Sequence, residues 1–151
     1  MIRSAEASDA AGVVELVSSV LSREFPADRT AFEIDDLREL MKAYAGPRSA
    51  FFVAEESGQI VGTCGVKSED AKIAILRRLF VDPKFRGKGV GTGLLKQALD
   101  FCRQIGYREV VIRTSSRMAH AIRLCESLGF REDGRWGLGQ VTLVRFHLRL
   151  T

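Results

Sequence analysis

Histidine, cysteine and proline are scarce in this chain, whose 151 residues hold two, three and three of them. The cysteines, Cys64, Cys102 and Cys125, are odd in number and show no Cys-x-x-Cys spacing, and only His120 and His147 could join them as soft ligands. That argues against a disulfide frame or a structural zinc, and no metal is expected. Apolar runs such as Ile73 to Leu76 and Leu79 to Val81 stop far short of the ~20 residues that cross a bilayer. Met1 to Glu6 lacks the basic-then-apolar order of a secretory signal, and Glu6 and Asp9 do not suit a transit peptide. A cytoplasmic protein without a membrane partner is expected. Neither a linker of biased composition nor a repeat of ~20 to 50 residues divides the chain, so residues 1–151 are expected to form one domain.

What is present is ordinary for a globular chain: 46% hydrophobic and 28% charged residues, at a length that buries roughly 70% of the extended surface. The 23 Lys and Arg against 19 Asp and Glu leave a net charge of +4, mostly spread along the chain. That suits an anionic ligand better than a track for nucleic acid, which would need the arginines gathered on one face; no nucleic-acid partner is expected.

Hydrophobic periodicity organises the rest. Ile2 to Ala5 reads as a strand, and Ser8 as the N-cap of a helix with Val13, Leu16, Val17, Val20 and Leu21 on one face. A second helix is expected from Phe32 to Ala45 with Ile34, Leu37, Met41 and Tyr44 apolar and Gly46-Pro47 as its stop. Ala50 to Glu55 and Gln59 to Lys67 form a hairpin about Ser57-Gly58. Lys72 to Val81 is apolar on both faces apart from Arg77 and Arg78, as a covered central strand requires. Helix residues Val90 to Ile105, closed by Gly106, lead to a strand at Glu109 to Thr114. Ser116 is the expected cap of a helix carrying Met118, Ala121, Ile122 and Cys125. Strands at Phe130 to Asp133 and Val141 to Leu150 finish the chain. In the last, the apolar phase changes near Leu143-Val144, which suggests a bulge on an edge that could pair two copies as a homodimer. The expected fold is α/β (α+β), a mixed and mostly antiparallel sheet of about 6–7 strands with helices on both faces.

Chemistry concentrates where the central strand ends. In Val81-Asp82-Pro83-Lys84-Phe85-Arg86-Gly87-Lys88-Gly89-Val90-Gly91-Thr92-Gly93 a glycine-rich turn opens a helix, so backbone amides and the helix N-terminus can cradle an anion. A Walker loop fails because Gly89 follows Lys88, and a dinucleotide fingerprint fails because Leu94 stands where its third glycine belongs. Glycines serving only a tight connection would account for one or two of the four. Arg86-x-x-Gly89-x-Gly91 resembles the acetyl-CoA motif of the GNAT superfamily of N-acetyltransferases. Ala121-Ile122-Arg123-Leu124-Cys125-Glu126-Ser127-Leu128-Gly129-Phe130 is similar to that family's late helix and following strand. The resemblance implies a GNAT-like sheet and acetyl-CoA as co-substrate. It implies that Arg86, Gly87, Lys88, Gly89, Val90, Gly91 and Thr92 hold the pyrophosphate and that Leu79, Phe80 and Val81 meet the pantetheine arm and acetyl group. It also implies direct attack of an amine on the thioester, with a small-molecule amine such as an amino acid as the expected acceptor.

Acetyl transfer calls for a base, an oxyanion donor and an acid. Where the family commonly has an acidic Tyr this chain has Cys125, and Met118 stands for a frequent Asn. Cys125 is either the acid, a small core residue, or a redox or acyl-carrying thiol. Family base positions fall on Arg77 and about Arg113, neither of which accepts a proton. Glu33, Asp35, Asp36, Glu69, Asp70 and His120 are reserve candidates, each otherwise a surface or dipole charge. Arg77 could bind an acceptor carboxylate, or, like Arg78, pair with an acid or point past an edge. Trp136, in the polar Gly134 to Gly139 segment, either walls the acceptor site or covers the core. The missing Tyr, Asn and carboxylate keep a second reading alive, a non-catalytic acyl-CoA-binding or sensing module.

Overall fold

Alternating and doubly apolar runs form seven strands in one mixed sheet. The computed structural model describes residues 1–150, with the side chains of residues 29–31 outside the description. The strands are β1 (Ile2–Ser4), β2 (Ala50–Glu56), β3 (Gln59–Ser68), β4 (Ile73–Val81), β5 (Glu109–Ser115), β6 (Arg131–Leu138) and β7 (Val141–Arg149). They lie in the order β1-β2-β3-β4-β5-β7-β6. Every neighbouring pair is antiparallel except β4 and β5. A parallel pair needs a crossover, and helix α4 (Val90–Ile105) supplies it. The mixed, mostly antiparallel sheet with helices on both faces is the architecture expected.

Each face buries its own core. On one, α4 and α5 (Ala119–Ser127) bring Leu94, Leu95, Ala98, Leu124 and Cys125 against Ala74, Leu76, Val110, Ile112, Val144 and Phe146. On the other, α1 (Ala10–Glu24), α2 (Asp35–Arg38) and α3 (Leu40–Ala43) cover Phe51, Val53 and Phe80 with Val13, Val17, Leu21, Leu37, Leu40 and Tyr44. Burying each such aliphatic side chain contributes roughly 1.5–3 kcal/mol.

Local chemistry shifts several boundaries from those expected. Ser8 lies inside a short 3-10 turn, Ala7–Asp9, and α1 starts after Asp9, whose Oδ2 accepts from the Glu6 amide at 2.7 Å. The single helix expected over Phe32 to Ala45 is two short ones, broken at Glu39 with φ −114° and ψ 51°. The break lets Leu37, Leu40 and Tyr44 all face the core and leaves Met41 49% exposed. Ser116 does not cap α5. Its amide donates to Thr142 O at 2.9 Å, and Met118 occupies the cap position. Gly134 to Leu138 is strand rather than loop, and the extra residue that shifts the register is Asp133 in β6, opposite a β7 that pairs regularly with β5 from Leu143 to Arg149. The change of apolar phase in β7 has another cause: Val144 and Phe146 face the α4 side, while the Pro26–Ala31 segment lies against the strand.

Candidate active site

The strand alternation of β4 is reset in its middle. Gly65 pairs with Arg77 and Thr63 with Phe80, so Arg78 and Leu79 together oppose Cys64 in a β-bulge. Arg78 takes φ +59°, a conformation that costs an L-residue roughly 1–2 kcal/mol. It is held there by Thr63, whose Oγ1 donates to Arg78 O at 2.7 Å, and by Asp36, which takes Arg78 Nη2 at 2.6 Å and Nε at 3.3 Å. Arg78 Nη2 also donates to Glu33 O, and Tyr44 OH donates to Asp36 Oδ2 at 2.8 Å. Burial works against the charged Asp36 carboxyl, but the hydrogen bonds from Arg78 and Tyr44 and the charges of Arg78 and Arg77 hold it below the usual carboxylate range. Tyr44 is pushed up by burial first and then by Asp36.

Past the bulge the sheet opens. β4 and β5 pair only from Ile73–Glu109 to Leu76–Ile112; beyond that point the two strands diverge, and the edge of Leu79 to Val81 facing β5 has no strand partner. A cavity of about 890 Å³ fills the gap. Leu79, Phe80 and Val81 form one wall, Met118 to Ala121 with Arg117, Arg123 and Ser127 another, Val20, Glu24 and Phe25 at the end of α1 a third, and Arg86 and Gly87 its rim.

The glycine-rich turn sits at that rim, with the Pro83–Phe85 turn before it anchored by Asp82, whose Oδ1 accepts from the Lys84 amide at 2.9 Å. Gly89 is the N-cap of α4 with φ +87°, and no side chain caps the helix. The first internal bond is Gly93 N to Gly89 O at 2.9 Å, so the amides of Gly89, Val90, Gly91 and Thr92 have no partner within the helix and carry its positive dipole end. The four glycines divide by cause. Gly87 and Gly89 have positive φ with open space where a Cβ would stand, whereas Cβ atoms on Gly91 and Gly93 would lie 2.5 Å from Leu124 and from Ile2. The first pair shapes the turn; the second lets α4 approach α5 and β1.

Arg86 does not lie free beside this cradle. Nη1 and Nη2 donate to Glu24 Oε1 and Oε2 at 2.6 and 2.9 Å, and Nε donates to Val81 O at 3.0 Å. This fork ties the turn to the end of α1 across the cavity mouth and engages one of the carbonyls expected to face pantetheine. Opposite, the wholly buried Asp28 accepts from Ser115 Oγ at 2.8 Å and from Arg117 Nη1 at 3.2 Å, while Arg117 Nη2 donates to Gln140 O at 3.2 Å. These bonds join the Pro26–Ala31 segment, the end of β5, the start of α5 and the β6–β7 turn around the cavity.

Several expected residues lie elsewhere. Cys125 is fully buried in the core with Cys64 and Cys102 and does not line the cavity. Burial, then Glu126, push its thiol up to about 12, so it neither reaches the cavity nor gives up a proton readily. Arg77 is half-buried, outside the cavity wall, with its charge felt by Asp36 and Tyr44. Trp136 stands 39% exposed on β6 opposite Leu143, neither walling the cavity nor covering the core. Glu69 pairs with Arg113 at 3.1 Å, and Asp70 Oδ1 accepts from the amides of Lys72 and Ile73. Among the reserve candidates His120 alone is on the cavity wall. Its Nε2 is buried without a hydrogen-bond partner, and its basicity is lowered by burial first, then by Arg86 and Arg123, against a raising effect from Glu24. Glu24, Asp28 and Arg117 escaped sequence reading because pairs 62 and 89 residues apart leave no local pattern. Among the described residues no cluster of three metal-ligating side chains occurs, and no helix is long and apolar enough to cross a membrane.

This chain is similar to several known proteins. Among curated proteins, N-acetyltransferase 8 of Rattus norvegicus is 39% identical over 105 residues, 66% of this chain and 47% of that protein. The N-acetylaspartate synthetase of Danio rerio is 39% identical over 101 residues, 66% of this chain and 36% of that protein. The chain thus spans about half or less of the length of these relatives. Among solved structures, a GNAT-family acetyltransferase from Staphylococcus aureus Mu50 superposes with a TM-score of 0.87 over 100% of this chain and 99% of its own, at 23% identity, a likeness of fold. The yncA protein of Salmonella typhimurium, solved with its cofactor acetyl-CoA, is 26% identical with a TM-score of 0.82 over 100% of this chain and 94% of its own. The family model for acetyltransferases of the GNAT type matches residues 14–130, which takes in the bulged strand, the glycine turn and α5 together. The chain belongs to the GNAT acetyltransferase family.

Proposed function

We propose that the protein is an acetyl-CoA-dependent N-acetyltransferase in which residues 1–151 form one domain that transfers the acetyl group to the amine of a small molecule carrying a carboxylate. The observation that carries this reading is the cleft itself. A central strand freed from its parallel neighbour after Leu76 forms the wall of a cavity of about 890 Å³ whose rim, Arg86 and Gly87, leads into the uncapped N-terminus of α4. An extended thioester laid along Leu79 to Val81 finds main-chain groups on one side and apolar Phe80, Met118 and Phe25 on the other. The amides from Gly87 to Thr92 receive its diphosphate. Arg86 keeps that turn in place through Glu24 and Val81 O.

The acetyl-CoA supplies an activated carbonyl and a thiolate leaving group. The acceptor attacks as the neutral amine; the carbonyl oxygen gains negative charge beside the unpaired β4 main chain, the C–S bond breaks, and the thiolate leaves. Both oxygens of Glu24 are taken by Arg86 and Cys125 is buried, so the proton that the acceptor ammonium gives up before attack passes to water, and the thiolate takes its proton from the nitrogen of the adduct or from water. Arg117, half exposed on the cavity wall and held by single bonds to Asp28 and Gln140 O, has donors left for an acceptor carboxylate. Arg77, one residue before the bulge, adds positive charge. A relative named N-acetylaspartate synthetase supports an amino-acid acceptor.

The test is a panel of amino acids, polyamines, aryl amines and peptide N-termini, read by thiol release from acetyl-CoA. Turnover far above hydrolysis on carboxylate-bearing amines is expected. CoA binding without turnover on any amine would instead support a non-catalytic acyl-CoA-binding module, the reading favoured by the absence of an unpaired carboxylate from the cavity wall.

A further inference from the structure

One polar group on the cavity wall has no partner. His120 projects from the first turn of α5 toward the first turn of α4, where its Nε2 lies 3.4 Å from the position a Cβ on Gly91 would take. That nitrogen is buried and makes no hydrogen bond. A buried polar atom left unpaired costs roughly 1–3 kcal/mol, so each such atom calls for an explanation, a functional role among them. One turn along α5, Arg123 lines the same cavity and forms no ion pair among the described residues. His120 of α5 thus lies against Gly91 in the uncapped first turn of α4, at an approach that the absence of a Cβ on Gly91 allows, and Arg123 shares its cavity.

We propose that His120 is the residue that senses the CoA diphosphate: it takes a proton from solvent when CoA binds and, as an imidazolium, donates to a phosphate oxygen held at the α4 N-terminus, with Arg123 beside it. This rests on the cleft being the CoA site. The charges around the ring fit the role. Arg86 from the turn and Arg123 from its own helix disfavour the imidazolium, Glu24 from α1 favours it, and the first turn of α4, Val90 to Gly93, brings no titratable side chain. Arg117, at the other end of the same wall, has its charge offset by Asp28. In the free protein the ring is therefore neutral at neutral pH, and an arriving diphosphate reverses the sign of the local field.

The sign follows from linkage. The titration midpoint of His120 lies below the ordinary imidazole value of ~6.5 without CoA and above it with CoA, so a proton is taken up between the two midpoints and CoA affinity rises as pH falls through that window.

With only two histidines in the chain, NMR titration of the imidazole Cε1 protons reads this directly. His120→Asn removes one signal and assigns it, and His147→Gln assigns the other should the first variant fold poorly. His147 on β7, paired with Glu109 at the start of β5 and outside the cavity wall, is the internal control. With CoA bound, the His120 midpoint is expected to rise by about one unit or more, equivalent to roughly tenfold in CoA affinity across the window; with pantetheine, which lacks the diphosphate, it stays in place. An unchanged or lowered midpoint in the CoA complex, or an equal rise with pantetheine, overturns the assignment. If calorimetry shows no CoA binding at all, the reading of the cleft falls and the assignment with it.

Discussion

Arg86 and Cys125 show what a motif position leaves open. Arg86 falls where the acetyl-CoA pattern has its basic residue, yet its guanidinium is spent on Glu24 and Val81 O, so it positions the turn rather than standing free for phosphate. Cys125 falls where a proton donor is common, yet it is packed beside Leu124 in the core. A thiol held near 12 gives no descending limb in the neutral range. With a reactive amine the logarithm of kcat/KM is expected to rise with pH as the acceptor deprotonates and to reach a plateau, without falling by about pH 9. Cys125→Ala is expected to leave that profile in place, lowering stability by about 1 kcal/mol through the lost packing. A fall of a hundredfold or more in kcat would restore the thiol as the acid. Arg78 is legible in a different way. Two arginines inside an apolar strand announce a pair or a cavity, but only the fold supplies Asp36 as the partner. Arg78→Met leaves a mostly buried carboxylate unpaired and is expected to cost on the order of 3 kcal/mol in urea unfolding at neutral pH. Asp36 is held below its ordinary value in the folded state, so its share of stability is present above about pH 4 and is lost as pH falls through the folded value. An Asp36→Asn variant should accordingly show a flatter acid limb.

At the scale of elements, the strands and the two long helices were readable because each has one dominant signal: period two in the hairpin, a doubly apolar β4, an amphipathic α1, and a glycine at either end of α4. The short elements were not. Phe32 to Ala45 has helical composition throughout, but the tertiary bond from Asp36 to Arg78 and the burial of Leu40 break it at Glu39. Likewise the phase change in β7 was visible and its cause was not, since the Pro26–Ala31 segment that lies against the strand is far away in sequence and the bulge belongs to β6. The glycine turn lies between these cases. Its position after β4 pointed to an anion cradle, but only geometry separates the glycines that bend the turn from those that admit α5 and β1. Gly91→Ala tests this division. A Cβ 2.5 Å from Leu124 should cost about 1–3 kcal/mol in overpacking against a gain of about 1 in helix propensity. A small loss of stability with a clear loss of CoA affinity is therefore expected, measured by thermal unfolding and calorimetry. Unchanged CoA affinity would mean that the α4–α5 spacing does not matter to the site.

The whole molecule is arranged around one interruption of its sheet. Covering layers on both faces let β4 run through the centre, a bulge turns its second half, and the parallel pairing with β5 lasts only four residue pairs before the strands part. Long-range bonds then border the resulting cavity, from Glu24 to Arg86 and from Asp28 to Ser115 and Arg117, while the bond from Asp36 to Arg78 holds the bulge. None of these pairings could be read from sequence, whereas the end of β4 and the glycine turn carry a local pattern of their own. The direct measurement is calorimetric titration of the protein with acetyl-CoA, CoA and ATP, alongside a Gly89→Glu variant that places a carboxylate among the unpaired α4 amides, proposed to receive the diphosphate, at a left-handed position. Binding of both CoA species in the micromolar range (about −8 kcal/mol), much weaker binding of ATP, and loss of binding in a variant that still folds is the predicted result. No CoA binding, or equal preference for ATP, would contradict the account.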